Sequence, residues 1–200
     1  LDLLRLINMV QDSVFATVLD ALNALEVPYM IVGSYASNYW GRPRMTHDAD
    51  LVIELNAHQA TGLAQRLANE FYAPDFVIQE AAERGDHFNV IHLKTSFKID
   101  FWLRKQNAYE KTCFERRLQG TMFDRKVWLT SAEDIILSKL LWYKMSPVLE
   151  RQIQDVVEVY EIQLQYLDID HIELYTAQQL LSGQNHHWRQ VVDHSRVGAP

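Results

Sequence analysis

Arg44-Met45-Thr46-His47-Asp48-Ala49-Asp50-Leu51 is the most informative stretch of this chain, and a shorter one, Tyr29-Met30-Ile31-Val32-Gly33-Ser34, precedes it. In an extended segment, residues two apart face the same side. Arg44, Thr46, Asp48 and Asp50 would therefore line one face at the entrance of a strand running from Leu51 to Leu55. Two carboxylates this close repel when ionised unless a cation sits between them. Magnesium is held by just such one or two carboxylates together with substrate phosphates. A charged loop with Asp50 acting as a cap is the plainer alternative. It leaves the ordered alternation with Arg44 and Thr46 unexplained.

Working outward, Tyr29 to Val32 is a short apolar strand, and Gly33-Ser34 ends it before a helix over Tyr35 to Trp40. Glycine at such a turn lets backbone approach a ligand closely, and the N–H groups of a helix start attract phosphate. The Ser34 hydroxyl can add a hydrogen bond to a phosphate oxygen. Taken alone, this is also the pattern of any tight turn. Downstream, Phe97 to Leu103 reads as a strand with Ile99, Phe101 and Leu103 toward the core and Lys98, Asp100 and Trp102 on the other face. An aspartate inside an apolar strand is costly to bury unpaired, so Asp100 either meets a cation or lies on a solvated face. If its strand neighbours that of Asp50, three carboxylates converge, enough for two metal ions.

The remaining pattern predicts a mixed sheet with flanking helices, followed by an all-helical part. Apolar positions recur at helical spacing over residues 3 to 26, and Val27-Pro28 stops that helix. A helix over about 57 to 71, strands at Phe76 to Gln79 and Phe88 to Leu93, a polar connection at Glu80 to Asp86, a helix over about 108 to 118 and a strand at Lys126 to Leu129 complete the first part. From Thr130 the periodicity is helical throughout: Ser131 to Tyr143, Glu150 to Leu164 and Ile169 to Leu181. Thr130 or Ser131 is a good N-cap, with Glu133 and Asp134 at the positive end of the helix. The expected division is a core over 1–129 and a helical C-terminal region over 130–200 packed on it, an α+β chain.

Composition is that of ordinary globular material, 48% hydrophobic and 22% charged in 200 residues. The single Cys113 cannot form an intrachain disulfide, and no apolar run reaches the length of a membrane span. A signal-peptide pattern is not seen at the start, so the expectation is a cytoplasmic protein without a membrane partner. Nineteen basic residues stand against 26 acidic ones, net −7. Proteins that grip a long phosphate backbone usually show a basic stripe. Here the densest basic groups are Arg42/Arg44, Arg104/Lys105 and Arg116/Arg117, without aromatic interleaving. Extended nucleic-acid binding is not expected, although a grip on one nucleic-acid end is allowed.

The combination of Gly33-Ser34, a 13-residue gap (35 to 47), Asp48-Ala49-Asp50 and a distant Asp100 on a strand resembles the nucleotidyltransferase superfamily of the DNA polymerase β type. The run Arg44-x-Thr46-x-Asp48-x-Asp50 is similar to the AbiEii-type branch, which includes toxins of toxin–antitoxin systems. So are the segments carrying Lys139, in Ser131 to Leu141, and Asp155, in Arg151 to Val156. The likeness covers about residues 27 to 160. It implies a nucleotidyltransferase-like mixed sheet, and an activity that moves a nucleoside monophosphate from a nucleoside triphosphate to a hydroxyl of an RNA end, a protein or a small molecule. It further implies two magnesium ions on Asp48, Asp50 and Asp100, with Asp100 also helping to deprotonate the acceptor. Gly33, Ser34, Arg44, Thr46 and Lys139 would attend the nucleotide, and Asp155 would orient a base or Lys139. An antitoxin protein is a partner the branch suggests. On physics alone, Lys139 and Asp155 are equally a surface pair on two packed helices, worth under about 1 kcal/mol.

Other residues read as structural. His47 points away from its motif neighbours, Cys113 is a small buried apolar residue on a helix, and His186-His187 lack a third ligand at suitable spacing. Trp102, Trp128, Trp142 and Tyr143 read as core, with Trp102 held open because it shares Asp100's face. Aspartyl-nucleophile phosphatases need an apolar strand immediately before the first aspartate, which Gly41 to His47 does not supply. Metal-dependent glycosyltransferases account for Asp-x-Asp but not for Gly33-Ser34 and Asp100 together. A non-catalytic nucleotide-binding or protein-interaction module of the same fold is the competing function.

Overall fold

The computed structural model describes residues 3–145, 150–176 and 178. In chain order the elements are α1 (Leu3–Ala24), β1 (Tyr29–Val32), α2 (Gly33–Trp40), β2 (Asp48–Ile53), α3 (Ala57–Leu67), β3 (Phe71–Tyr72), α4 (Asp75–Arg84), β4 (His87–His92), β5 (Lys98–Leu103), α5 (Ala108–Glu115), β6 (Leu118–Met122), β7 (Arg125–Leu129), α6 (Ala132–Met145), α7 (Glu150–Gln163) and α8 (Ile169–Tyr175). They gather into two compact units. Of the described residues, those up to Tyr35 with Met45–Leu129 form the sheet unit, and Ala36–Arg44 with those from Thr130 onward form the helical unit. The segment 36–44 thus groups with the C-terminal helices, a division that a cut at 129 does not contain.

The sheet unit carries seven strands in the order β3-β4-β5-β2-β1-β7-β6. β2 runs antiparallel to β1 and parallel to β5, while β1 runs parallel to β7. Strand alternation sorts the side chains: Ala49, Leu51, Ile53, Ile99, Phe101 and Leu103 enter the core, where Phe15, Leu19 and Leu22 of α1 and Leu63 and Leu67 of α3 join them. The opposite face of β2 and β5 carries Asp48, Asp50, Val52, Lys98, Asp100 and Trp102.

Several local signals produce these boundaries. Asn56 caps α3 in a reciprocal box with Gln59. Asn107 caps α5 through the Glu110 N–H, and the Ser131 hydroxyl accepts from the Asp134 N–H at the start of α6. Phe76 to Gln79 is not a strand but the first half of α4. Its short apolar run has no distinguishing period of its own. Ile78 and Ala81 bury three residues apart, and Gly85 ends the helix in the left-handed region, at φ 67°. Strands β3 and β6 were not expected; one is two residues long and the other, Leu-Gln-Gly-Thr-Met, has no alternating apolar face.

In the helical unit, Ile135, Ile136, Leu140, Ile153, Val156 and Val159 make the core with Ala36 and Ile172. The buried polar residues of α6 are partnered, as burial requires. Glu133 accepts from the Asp168 N–H at 3.1 Å, and Asp134 lies 2.8 Å from His171 Nε2. Of the last expected helix, Ile169–Tyr175 is α-helical among the described residues, while positions 177 and 179–181, like His186-His187, lie outside them. Among the described residues no helix is long and apolar enough to cross a membrane.

Candidate active site

β1 ends at Val32 opposite Asp50, and the chain then turns directly into α2 at Gly33. Gly33 has φ +61°, and a Cβ built on it would lie 2.1 Å from Asp50 Oδ2. Glycine is needed here twice over, for the left-handed backbone and for the carboxylate lying against it. The start of α2, which presents Gly33 and Ser34, therefore abuts the second aspartate of the Asp48-Ala49-Asp50 motif.

Pairing of β2 with β5 sets Asp50 opposite Asp100 and Asp48 opposite Lys98. β2 begins at Asp48 rather than Leu51, so both motif aspartates lie within the strand and share its outer face. The Lys98 ammonium lies 2.7 Å from Asp100 Oδ2. That hydrogen bond raises the Lys98 pKa, the charges of Asp48 and Asp50 add to the effect, and partial burial opposes it. Thr46 is buried, and its hydroxyl is 3.1 Å from the Asp48 carbonyl and 3.2 Å from Asp48 Oδ1. Just beyond Asp100 on the same face, Trp102 stacks on His87 of β4 with ring centres 4.8 Å apart. Asn89 stands opposite Asp100 on β4.

Arg44, Lys139 and Asp155 come together in the helical unit. The Arg44 guanidinium donates to both Asp155 oxygens, at 2.7 and 2.8 Å, and Lys139 Nζ lies 2.8 Å from Oδ2. The Ser37 hydroxyl adds a contact to the same oxygen at 3.3 Å. Burial opposes ionisation of Asp155, yet the Arg44 hydrogen bonds and the Lys139 charge outweigh it and hold the carboxyl below its ordinary range. The Lys139–Asp155 contact is a buried pair, with side chains 6% and 2% exposed, and not the surface pair that helix packing alone allowed. Arg44 spends its guanidinium on Asp155 and is not part of strand β2.

Among the described residues, no group of three or more His, Cys, Asp and Glu is arranged to hold a metal ion by itself. Asp48, Asp50 and Asp100 share a face without forming a ready-made cage. Their hard oxygen donors suit magnesium, which is usually bound by one or two carboxylates with phosphate and water supplying the rest.

No protein-family model matches the chain, and no curated protein matches it. Solved structures do. The solution structure of the antibiotic-resistance factor ANT(2'')-Ia aligns with a TM-score of 0.58 at 14% identity, covering 96% of this chain and 99% of that one. The chain has the nucleotidyltransferase fold. A crystal structure of ANT(2'')-Ia in complex with adenylyl-2''-tobramycin aligns at 0.52 and 18% identity, over 86% and 97% of the two chains. An antigenic nucleotidyltransferase-like protein from Paracoccidioides brasiliensis aligns at 0.50 and 16% identity, over 84% and 87%.

Within this nucleotidyltransferase fold, several residues near the motifs escaped the sequence reading. The strand alternation puts Lys98 on the Asp100 face but does not indicate its partner. Ser37 was legible only as part of a short helix. The Tyr35 hydroxyl donates to Asp12 Oδ1 at 3.2 Å, and burial pushes both groups' pKa values up. Trp128 and Trp142 are partly exposed, contrary to a core assignment, and Trp128 lies under Arg117 at 5.0 Å. Cys113 is buried on α5, as expected, and His47 is exposed.

Proposed function

We propose that the chain is a nucleotidyltransferase that moves a nucleoside monophosphate from a nucleoside triphosphate to an acceptor hydroxyl. The observation that carries this reading is the register Asp50↔Asp100 on β2 and β5, with Gly33 packed against the Asp50 carboxylate. The acceptor oxygen bonds to the α-phosphorus, the bond from that phosphorus to the β-phosphate bridging oxygen breaks, and pyrophosphate leaves. The acceptor proton passes to Asp100 and on to solvent. Asp48, Asp50 and Asp100 would hold magnesium, two ions in the full form, which neutralises the triphosphate and lowers the pKa of the attacking hydroxyl.

The chain's own residues supply position and charge. The Gly33-Ser34 start of α2 receives phosphate oxygens through N–H groups and the Ser34 hydroxyl. Thr46 fixes Asp48 by its hydroxyl contact. Asp155 orients Arg44 and Lys139 through its two oxygens, and the sequence resemblance is what assigns both cations to the nucleotide. The acceptor side belongs to β4 and β5, where Asn89, Trp102 and His87 flank Asp100 on one face.

The adenylyl-2''-tobramycin bound to ANT(2'')-Ia supports a small hydroxyl-bearing acceptor as the first class to test. An RNA end, a protein hydroxyl, and membership of a toxin–antitoxin pair rest on the AbiEii-like motifs alone. The test is incubation with each α-labelled nucleoside triphosphate and magnesium, with small hydroxyl compounds including tobramycin, with total RNA, and alone. Label transfer that Asp48→Ala/Asp50→Ala abolishes supports the enzyme and names its acceptor class. Nucleotide binding without transfer to any acceptor favours a non-catalytic module of this fold.

A further inference from the structure

Lys98 sits at the head of β5, opposite Asp48 and two register pairs before Asp50–Asp100. Its ammonium is bonded to Asp100, the carboxylate that the proposed reaction needs for a metal. The two partners differ in freedom. The Lys98 side chain is 43% exposed and the Asp100 side chain 11%, with Asp100 in a strand paired on both sides. An ammonium on a flexible four-carbon stem can leave such a contact without any backbone movement, whereas a bidentate arginine would be held more firmly. Three carboxylates on one face also need positive charge when no metal neutralises them.

We infer that Lys98 is an exchangeable counter-ion: it neutralises Asp100 in the free protein and competes with the divalent cation for that carboxylate. This rests on the nucleotidyltransferase reading above, and it adds a control that the reading does not contain. Metal binding to the free protein is weakened by the need to displace Lys98. Nucleotide, bringing phosphate ligands to the same cation, tips the exchange. Lys98 is therefore a positioning residue that sets when the site loads.

The test uses the full chain and Mn2+, titrated by calorimetry and by loss of the free-ion electron paramagnetic signal. Titrations are run without nucleotide and with a non-hydrolysable triphosphate analogue. Lys98→Met is expected to bind Mn2+ about tenfold tighter than wild type without nucleotide, the order expected when one half-exposed competing charge is removed. Its metal-free melting temperature should fall and recover as Mn2+ is added. Lys98→Arg, which keeps the charge, should not gain affinity. Lys98→Gln keeps a polar stem without the charge, and replaces Lys98→Met if that variant does not fold. Equal or weaker Mn2+ affinity in the uncharged variants, while Asp100→Asn loses binding, overturns the counter-ion role and leaves the enzyme reading intact. Absence of Mn2+ binding in wild type and variants alike, with the analogue present, overturns both.

Discussion

Replacing Asp155 with alanine removes the acceptor shared by Arg44, Lys139 and Ser37. The three donors do not lose equally. The Arg44 side chain is 23% exposed and can turn to water, whereas Lys139 at 6% cannot without moving its helix. Deleting one partner of a buried ion pair costs about 3–5 kcal/mol, because the remaining charge is left uncompensated. In a chain of this size a kcal/mol shifts the melting temperature by roughly 2–4 °C, so a fall on the order of 10 °C is expected. Urea melts followed by circular dichroism measure the free energy directly. Pairing Asp155→Leu with Lys139→Met removes both buried charges and should recover most of the loss. A cost for Asp155→Ala below about 1 kcal/mol is the behaviour of an exposed pair, and refutes the buried network.

Further outcomes follow from the same geometry. Gly33→Ala meets both a positive φ and the Asp50 carboxylate, so it should destabilise by more than about 1 kcal/mol and reduce nucleotide binding; calorimetry with a triphosphate analogue checks the second effect. The depressed Asp155 pKa makes its stabilisation complete above the ordinary carboxylate value of 3.8 and lost as pH falls through the lower folded value. The stability gap between wild type and Asp155→Asn should accordingly narrow below about pH 4, where linkage removes the ionised form. Asp12 has the opposite sign: burial raises its pKa, so its ionised form opposes folding once pH rises through the folded value. Asp12→Asn keeps an acceptor for Tyr35 and should melt higher than wild type at pH 7 but not at acid pH, read by thermal scans across pH.

Much of the site's scaffold was legible because its signals are local. Pro28 and Gly33 bracket a four-residue apolar run, which became β1 with the expected ends. Alternation through Phe97 to Leu103 separated Asp100 from Phe101 correctly, since one face of β5 enters the core. What failed depended on tertiary context. The apolar run alone starts β2 at Leu51, since aspartates disfavour strands, and only pairing with β1 and β5 extends the ladder across Asp48 and Asp50. Phe76 to Gln79 read as a strand because its buried helical positions are few and lie beside exposed Phe76. The burial of Lys139 and Asp155 was equally hidden. Sixteen positions separate them in sequence, and nothing local tells a packed helix pair with its ions inside from one with its ions outside.

Structure determination with magnesium replaced by Mn2+ and a non-hydrolysable nucleoside triphosphate tests the central assignment most directly. The account predicts anomalous Mn2+ density against Asp50 and Asp48 or Asp100, with the triphosphate over Gly33 and Ser34. A second location is available in the sheet unit, the 520 Å³ groove at the far ends of β2 and β5, lined by Glu54, Arg104 and Gln59. Nucleotide bound there, with no Mn2+ on the three aspartates, would contradict the account.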